Sequence, residues 1–138
     1  PHKEVTRKIT KEASEIDLKQ LILSEKLTRH EILMLAYILE IGTRHFGERW
    51  RAEETLESIK TWEEKHVLSS DLSTNYSGIL ANLTERELLV ASEFTSHGNV
   101  RLSVMPLSIY DQLRDLQKDN NIGNKIKNVV HSFVELPF

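Results

Sequence analysis

The stretch Ser70–Met105, SDLSTNYSGILANLTERELLVASEFTSHGNVRLSVM, contains a change of hydrophobic period that decides the fold. Ser70 or Ser73 is placed to cap a helix, because a short hydroxyl side chain satisfies free N–H groups of the first turn. Tyr76, Ile79, Leu80 and Leu83 then fall at helical spacing, and Leu88 continues the stripe. Beyond Leu89 the period becomes two. Val100, Leu102 and Val104 alternate with Arg101, Ser103 and Met105, as in a strand with one wet face. The preceding run, Leu89 to Phe94, favours strand, and Thr95-Ser96-His97-Gly98-Asn99 joins the two, with Gly98 free to take a positive φ.

Helix, strand, tight turn and returning strand make the second half of a winged helix-turn-helix. The expected fold class is mainly α with a small β-hairpin, carrying extra helical segments at both ends. In a DNA-binding version the helix enters the major groove, and basic side chains meet phosphates. Here Arg51, Lys60, Lys65 and Arg86 stand against eight acids between Arg51 and Glu87, an excess of four negative charges. Counterion release cannot drive binding through such a face. It is either an ordinary solvated surface or a surface for a protein partner.

Working outward, residues 1–13 read as a flexible, mildly basic arm, and Ser14 with Asp17 as a helix start ahead of Leu18, Leu21 and Ile22. Thr28-Arg29-His30-Glu31 is a capping box. The following run, Ile32 to Ile41, is apolar except for Glu40, which predicts a central buried helix stopped by Gly42. Thr43 to Arg51 mixes Arg44, Arg49 and Arg51 with Phe46 and Trp50, a loop whose rings plug the core edge or, less simply, a nucleic-acid patch. Ala52 to His66 forms the next helix, with Leu56, Ile59 and Trp62 inward and its glutamates mostly outward.

Pro106 opens a helix to Lys118, closing residues 14–118 as the winged-helix domain, and Asp119 to Gly123 breaks it. Residues 119–138 form an apolar extension. Ile126, Val129, Val130, Phe133 and Val134 make a full amphipathic stripe, and Leu136, Pro137 and Phe138 add more apolar surface. A minimal winged helix does not need this, so the extension caps its own core or crosses to a partner.

The 138 residues, with formal net charge −3, fit one domain without staples. The chain has no cysteine, which suits a reducing compartment and excludes thiol catalysis. No apolar run reaches membrane-spanning length, so no membrane partner is expected. The six histidines lack metal-ligand spacing, and no phosphate loop or nucleophile motif appears. His66 near Glu63 reads as a helix-end interaction rather than a catalytic dyad. We expect no enzyme, no cofactor and no metal.

Two motifs narrow this further. Lys26-Leu27-Thr28-Arg29-His30-Glu31-Ile32-Leu33-Met34-Leu35-Ala36 resembles the opening of the winged-helix domain that ends origin-recognition and Cdc6-type initiator proteins. Ser77-Gly78-Ile79-Leu80-Ala81-Asn82-Leu83, followed by Leu88-Leu89-Val90, resembles the recognition helix and first wing strand of that family. The likeness covers about Ser14 to Leu116. The initiators carry basic residues on the recognition helix and wing, whereas this chain has Arg86 and Arg101 among acids. In that respect it is similar to silencing relatives of the large origin-recognition subunit, the silent-information-regulator type of heterochromatin protein. That resemblance implies a nuclear, non-catalytic domain whose homodimerisation helps its parent protein spread along nucleosomes and repress transcription. Other silencing proteins and nucleosomes are then partners through the parent.

The expected dimer contact lies among Ile126, Val129, Val130, Phe133, Val134 and Phe138, or along the wing edge at Val100 and Leu102. The alternative is a DNA-binding winged helix of the initiator type, using Arg7, Lys8, Arg44, Arg49, Arg51 and Arg101, with an affinity that falls steeply with salt.

Overall fold

A computed structural model describes residues 16–45, 50–96 and 100–135, with only the backbone described between 42 and 55 and between 91 and 104. It is mainly helical. In chain order the elements are α1 (Leu18–Leu23), α2 (Arg29–His45), β1 (Trp50–Arg51), α3 (Ala52–Lys65), α4 (Asp71–Glu85), β2 (Val90–Ser96), β3 (Val100–Val104), α5 (Leu107–Gln117) and α6 (Asn120–His131). The expected arm at 1–13 lies outside the described residues, and so does Ser14. Asp17 starts α1 instead, its carboxylate accepting the Gln20 N–H.

Helix α2 is the centre. Leu33, Met34 and Leu35 are all fully buried, and α4, α5 and α6 pack around it. Its first turn forms as the capping box requires. The Glu31 N–H donates to Thr28 Oγ1 at 3.1 Å, and the Thr28 N–H donates to Glu31 Oε1 at 3.3 Å. Its other end departs from expectation, because the helix runs through Gly42 to His45. Glycine weakens a helix by about 1 kcal/mol, a preference too small to end one by itself.

The turn between α3 and α4 is held in an unexpected way. Ser70 occupies the N-cap of α4 but makes no side-chain cap bond. Glu63, buried within α3, fills the role: its Oε2 accepts the N–H groups of Leu72 at 3.1 Å and Ser73 at 3.4 Å. A carboxylate there also meets the positive end of the helix dipole. In the same turn Val67 takes φ of 56°, a left-handed conformation costly for a β-branched side chain.

Between α4 and α5 the backbone of β2 and β3 pairs antiparallel, from Val90 opposite Val104 to Ser96 opposite Val100, with a register shift between Ala91 and Thr95. Strand β1 adds to the far side of β3, giving the order β1-β3-β2. The segment Asp119 to Gly123 is not a break of its own. Asp119 caps α6, its carboxylate accepting the Asn121 and Ile122 N–H groups, and residues 120–123 are helical. Gly123 permits the tight α5–α6 corner, since an added Cβ would sit 2.8 Å from the Gln117 carbonyl oxygen.

Candidate interaction surface

Helix α6 presents two kinds of apolar residue. Ile122 and Ile126 are buried in the core beneath α2 and α5. Val129 and Val130 are half-buried and pack at its margin. Just beyond the helix, Phe133 is also buried, at 5% exposure. The Arg29 guanidinium lies 4.7 Å from the centre of its ring, and the His30 ring meets it edge-on at 5.1 Å. A cation over an aromatic face adds to what burial contributes. Ile126 and Phe133 therefore belong to the chain's own core, which corrects their place among the expected dimer contacts. Val129, Val130 and Val134 remain half-buried at the surface, and Phe138 lies outside the described residues.

The last described residues clasp the turn between α3 and α4. The Ser69 N–H donates to the Phe133 carbonyl at 2.8 Å, and the Glu135 N–H donates to the Val67 carbonyl at 2.9 Å. Leu68 and Val134 form an antiparallel bridge between these bonds. The Val67 backbone is thus held from outside as well as by its own helix.

Beside this clasp opens an apolar groove of about 620 Å³, lined by Ala36, Leu39, Trp62, Leu68, Ile126, Val130 and Val134. Its rim carries Glu40, His66, Gln117, Lys127 and His131. Glu40, the lone acid in the α2 apolar run, organises one wall. It accepts a hydrogen bond from Trp62 Nε1 and pairs with His66 Nε2 at 3.0 Å and Lys65 Nζ at 3.4 Å. Burial pushes the Glu40 carboxyl up, but the bonds from Trp62 and His66, the His66 charge and the Lys65 bond together hold it below its ordinary value. His66 thus pairs with Glu40 on α2, not with Glu63 as its sequence position implied. The interruption of an apolar run by Glu40 was the signal for this wall.

Three of the six basic residues offered for DNA contact are among the described residues. Arg7, Lys8 and Arg49 lie outside the described residues. Arg44 is in the last turn of α2. The sheet sets Arg51 opposite Leu102, the neighbour of Arg101, so Arg51 and Arg101 occupy adjacent register positions. Val100 and Leu102, the wing-edge alternative for the dimer contact, lie on the same strand, where only the backbone is described. On α4 the exposed residues are Asp71, Thr74, Asn75, Ser77, Gly78, Ala81, Asn82 and Glu85, none of them a cation. Arg86, just after the helix, is turned inward onto Glu31, which is 1% exposed. No known protein family, curated protein or solved structure matched the chain.

Proposed function

We propose that the chain is a non-catalytic, self-associating winged-helix domain of a nuclear heterochromatin protein. In this reading α3, the turn and α4 are the helix-turn-helix, β2 and β3 are the wing, and a second copy is the immediate partner. Dimerisation then helps the parent protein spread on nucleosomes and repress transcription. The resemblance of Lys26–Ala36 and Ser77–Leu83 to the initiator winged helix supports the biological setting. The observation that carries self-association is the half-buried pair Val129 and Val130, left at the surface of α6 after the rest of its stripe has entered the core. The cation-free exposed face of α4 argues in the same direction, because a recognition helix without Lys or Arg gains nothing from phosphate.

Light scattering behind a sizing column tests this. Across micromolar concentrations the chain is expected at twice 16.0 kDa. Val129→Asp with Val130→Asp is expected at 16.0 kDa with helical content retained. A wild-type chain that stays monomeric throughout removes the reading, and a variant that stays dimeric moves the contact off α6.

A further inference from the structure

The apolar groove owes its space to two small residues. Ala36 interrupts a run of large side chains on α2, Gly123 stands one turn before Ile126 on α6, and both line the groove. Its volume of about 620 Å³ lies in the range of roughly 300–1,000 Å³ typical of ligand sites. The lining is also of their kind: aliphatic side chains, one large ring from Trp62 and a few polar groups at the mouth.

Those polar groups differ in whether they are already satisfied. Glu40 is taken by Trp62, Lys65 and His66, and His66 by Glu40. Lys127 and His131 are not. They stand four residues apart on α6, so they share a face, and both are exposed where they line the groove. Neither side chain has a hydrogen-bond or ion-pair partner among the described residues, whereas Lys125 nearby meets Glu25 at 3.9 Å. Helix α6 itself holds no Asp or Glu from Asn120 to His131 that would neutralise them. The groove is therefore apolar inside, with an unmatched positive charge from Lys127 and an unused ring N–H from His131 along one lip.

We propose that this groove docks a short peptide segment of a partner protein, which seats a bulky apolar side chain against Trp62 and sets an Asp or Glu against Lys127 and His131. Burial supplies most of the affinity, and the carboxylate fixes the direction in which the peptide lies. A basic apolar peptide meets like charge at the lip and binds more weakly. The site goes beyond self-association: Ala36, Lys127 and His131 lie outside the Val129 and Val130 pair assigned to the second copy, so the two contacts are separable.

Selection from a phage-displayed library of random short peptides tests this on the whole chain. Peptides that bind the wild type are expected to pair a Leu, Phe or Trp with an Asp or Glu. Ala36→Leu fills the groove from its floor, and is expected to abolish their binding without lowering the melting temperature. Lys127→Glu with His131→Glu reads the charge separately at two exposed positions. It is expected to weaken a selected, labelled peptide roughly ten-fold in fluorescence anisotropy. Failure to select any peptide, selected peptides without an acid, or binding that Ala36→Leu leaves intact each overturns the proposal. So does a wild-type dimer that Ala36→Leu turns into a monomer, because the occupant is then a second copy. Should Ala36→Leu not fold, the exposed pair decides: the ten-fold loss supports the site, and unchanged affinity overturns it.

Discussion

Helix α2 carries Glu31 in its first turn and Glu40 toward its far end, and each ties the helix to a later element. Glu31 holds Arg86 and caps its own helix while 1% exposed. Glu40 gathers Trp62, Lys65 and His66 while 38% exposed. Glu40 has the larger set of charged partners, yet Glu31 carries the greater structural consequence. Water reaches Glu40 and its partners, so each can be rehydrated when another is lost. Glu31 itself is buried, so the Arg86 it leaves behind faces a site closed to water on that side, and the cost is set by that burial rather than by the number of bonds.

The contrast is sharpest in Glu31→Ala. It removes the cap and leaves Arg86 facing an emptied, buried site. We expect a loss of about 3 kcal/mol, at the lower end of buried-pair disruption because Arg86 is 33% exposed. Urea unfolding reads this directly. A loss under about 1 kcal/mol would place the pair with ordinary surface ion pairs.

Glu63→Ala extends the comparison to a second buried carboxylate. It deprives α4 of its N-terminal acceptor and should cost about 1–2 kcal/mol, as loss of a helix cap does. Ser70→Ala should be nearly silent, because that hydroxyl makes no cap bond. Equal losses for the two variants in the same denaturation assay would return the cap to Ser70.

Glu40→Gln is the smallest perturbation, expected within about 0.5 kcal/mol near neutral pH. Its signature lies on the acid side. The Glu40 carboxyl is held below 4.5 in the folded state, so its stabilisation is present above that value. It is lost as pH falls through the lower, folded value. The variant should therefore lose part of the decline in melting temperature seen in acid. Identical acid limbs for the two proteins would show that Glu40 contributes nothing there.

These three glutamates also mark how far the sequence could be read. Glu31 was legible because a capping box is a local pattern, complete within four consecutive residues. Glu63 was not. In a glutamate-rich helix it resembles every other glutamate of α3, and its partners lie beyond the turn, at Leu72 and Ser73. The helices themselves followed from apolar spacing, but their ends did not. Gly42 carried a stop signal that the helix runs past, and the Asp119 segment mixed the chemistry of a break with that of a helix start. The α6 stripe was visible as a stripe, but periodicity does not say what covers it. Arg29 and His30 around Phe133 settle that for one residue, and no spacing rule links positions so far apart. The groove was invisible for the same reason, being assembled from α2, α3 and α6 together.

The start of helix α1 is fastened on both sides by one distant side chain. The Leu18 N–H donates to Gln112 Oε1 at 2.9 Å, and Gln112 Nε2 donates to the Ile16 carbonyl at 2.8 Å, across sequence separations of 94 and 96. On a ribosome adding 5–20 residues per second, roughly 5–20 s pass between the making of α1 and the arrival of its fastener. A six-residue helix is not stable in water during that interval. The first helix among the described residues is therefore among the last to form, and the apolar side chains of Leu18 and Ile22 stay exposed to the cell until α5 is made.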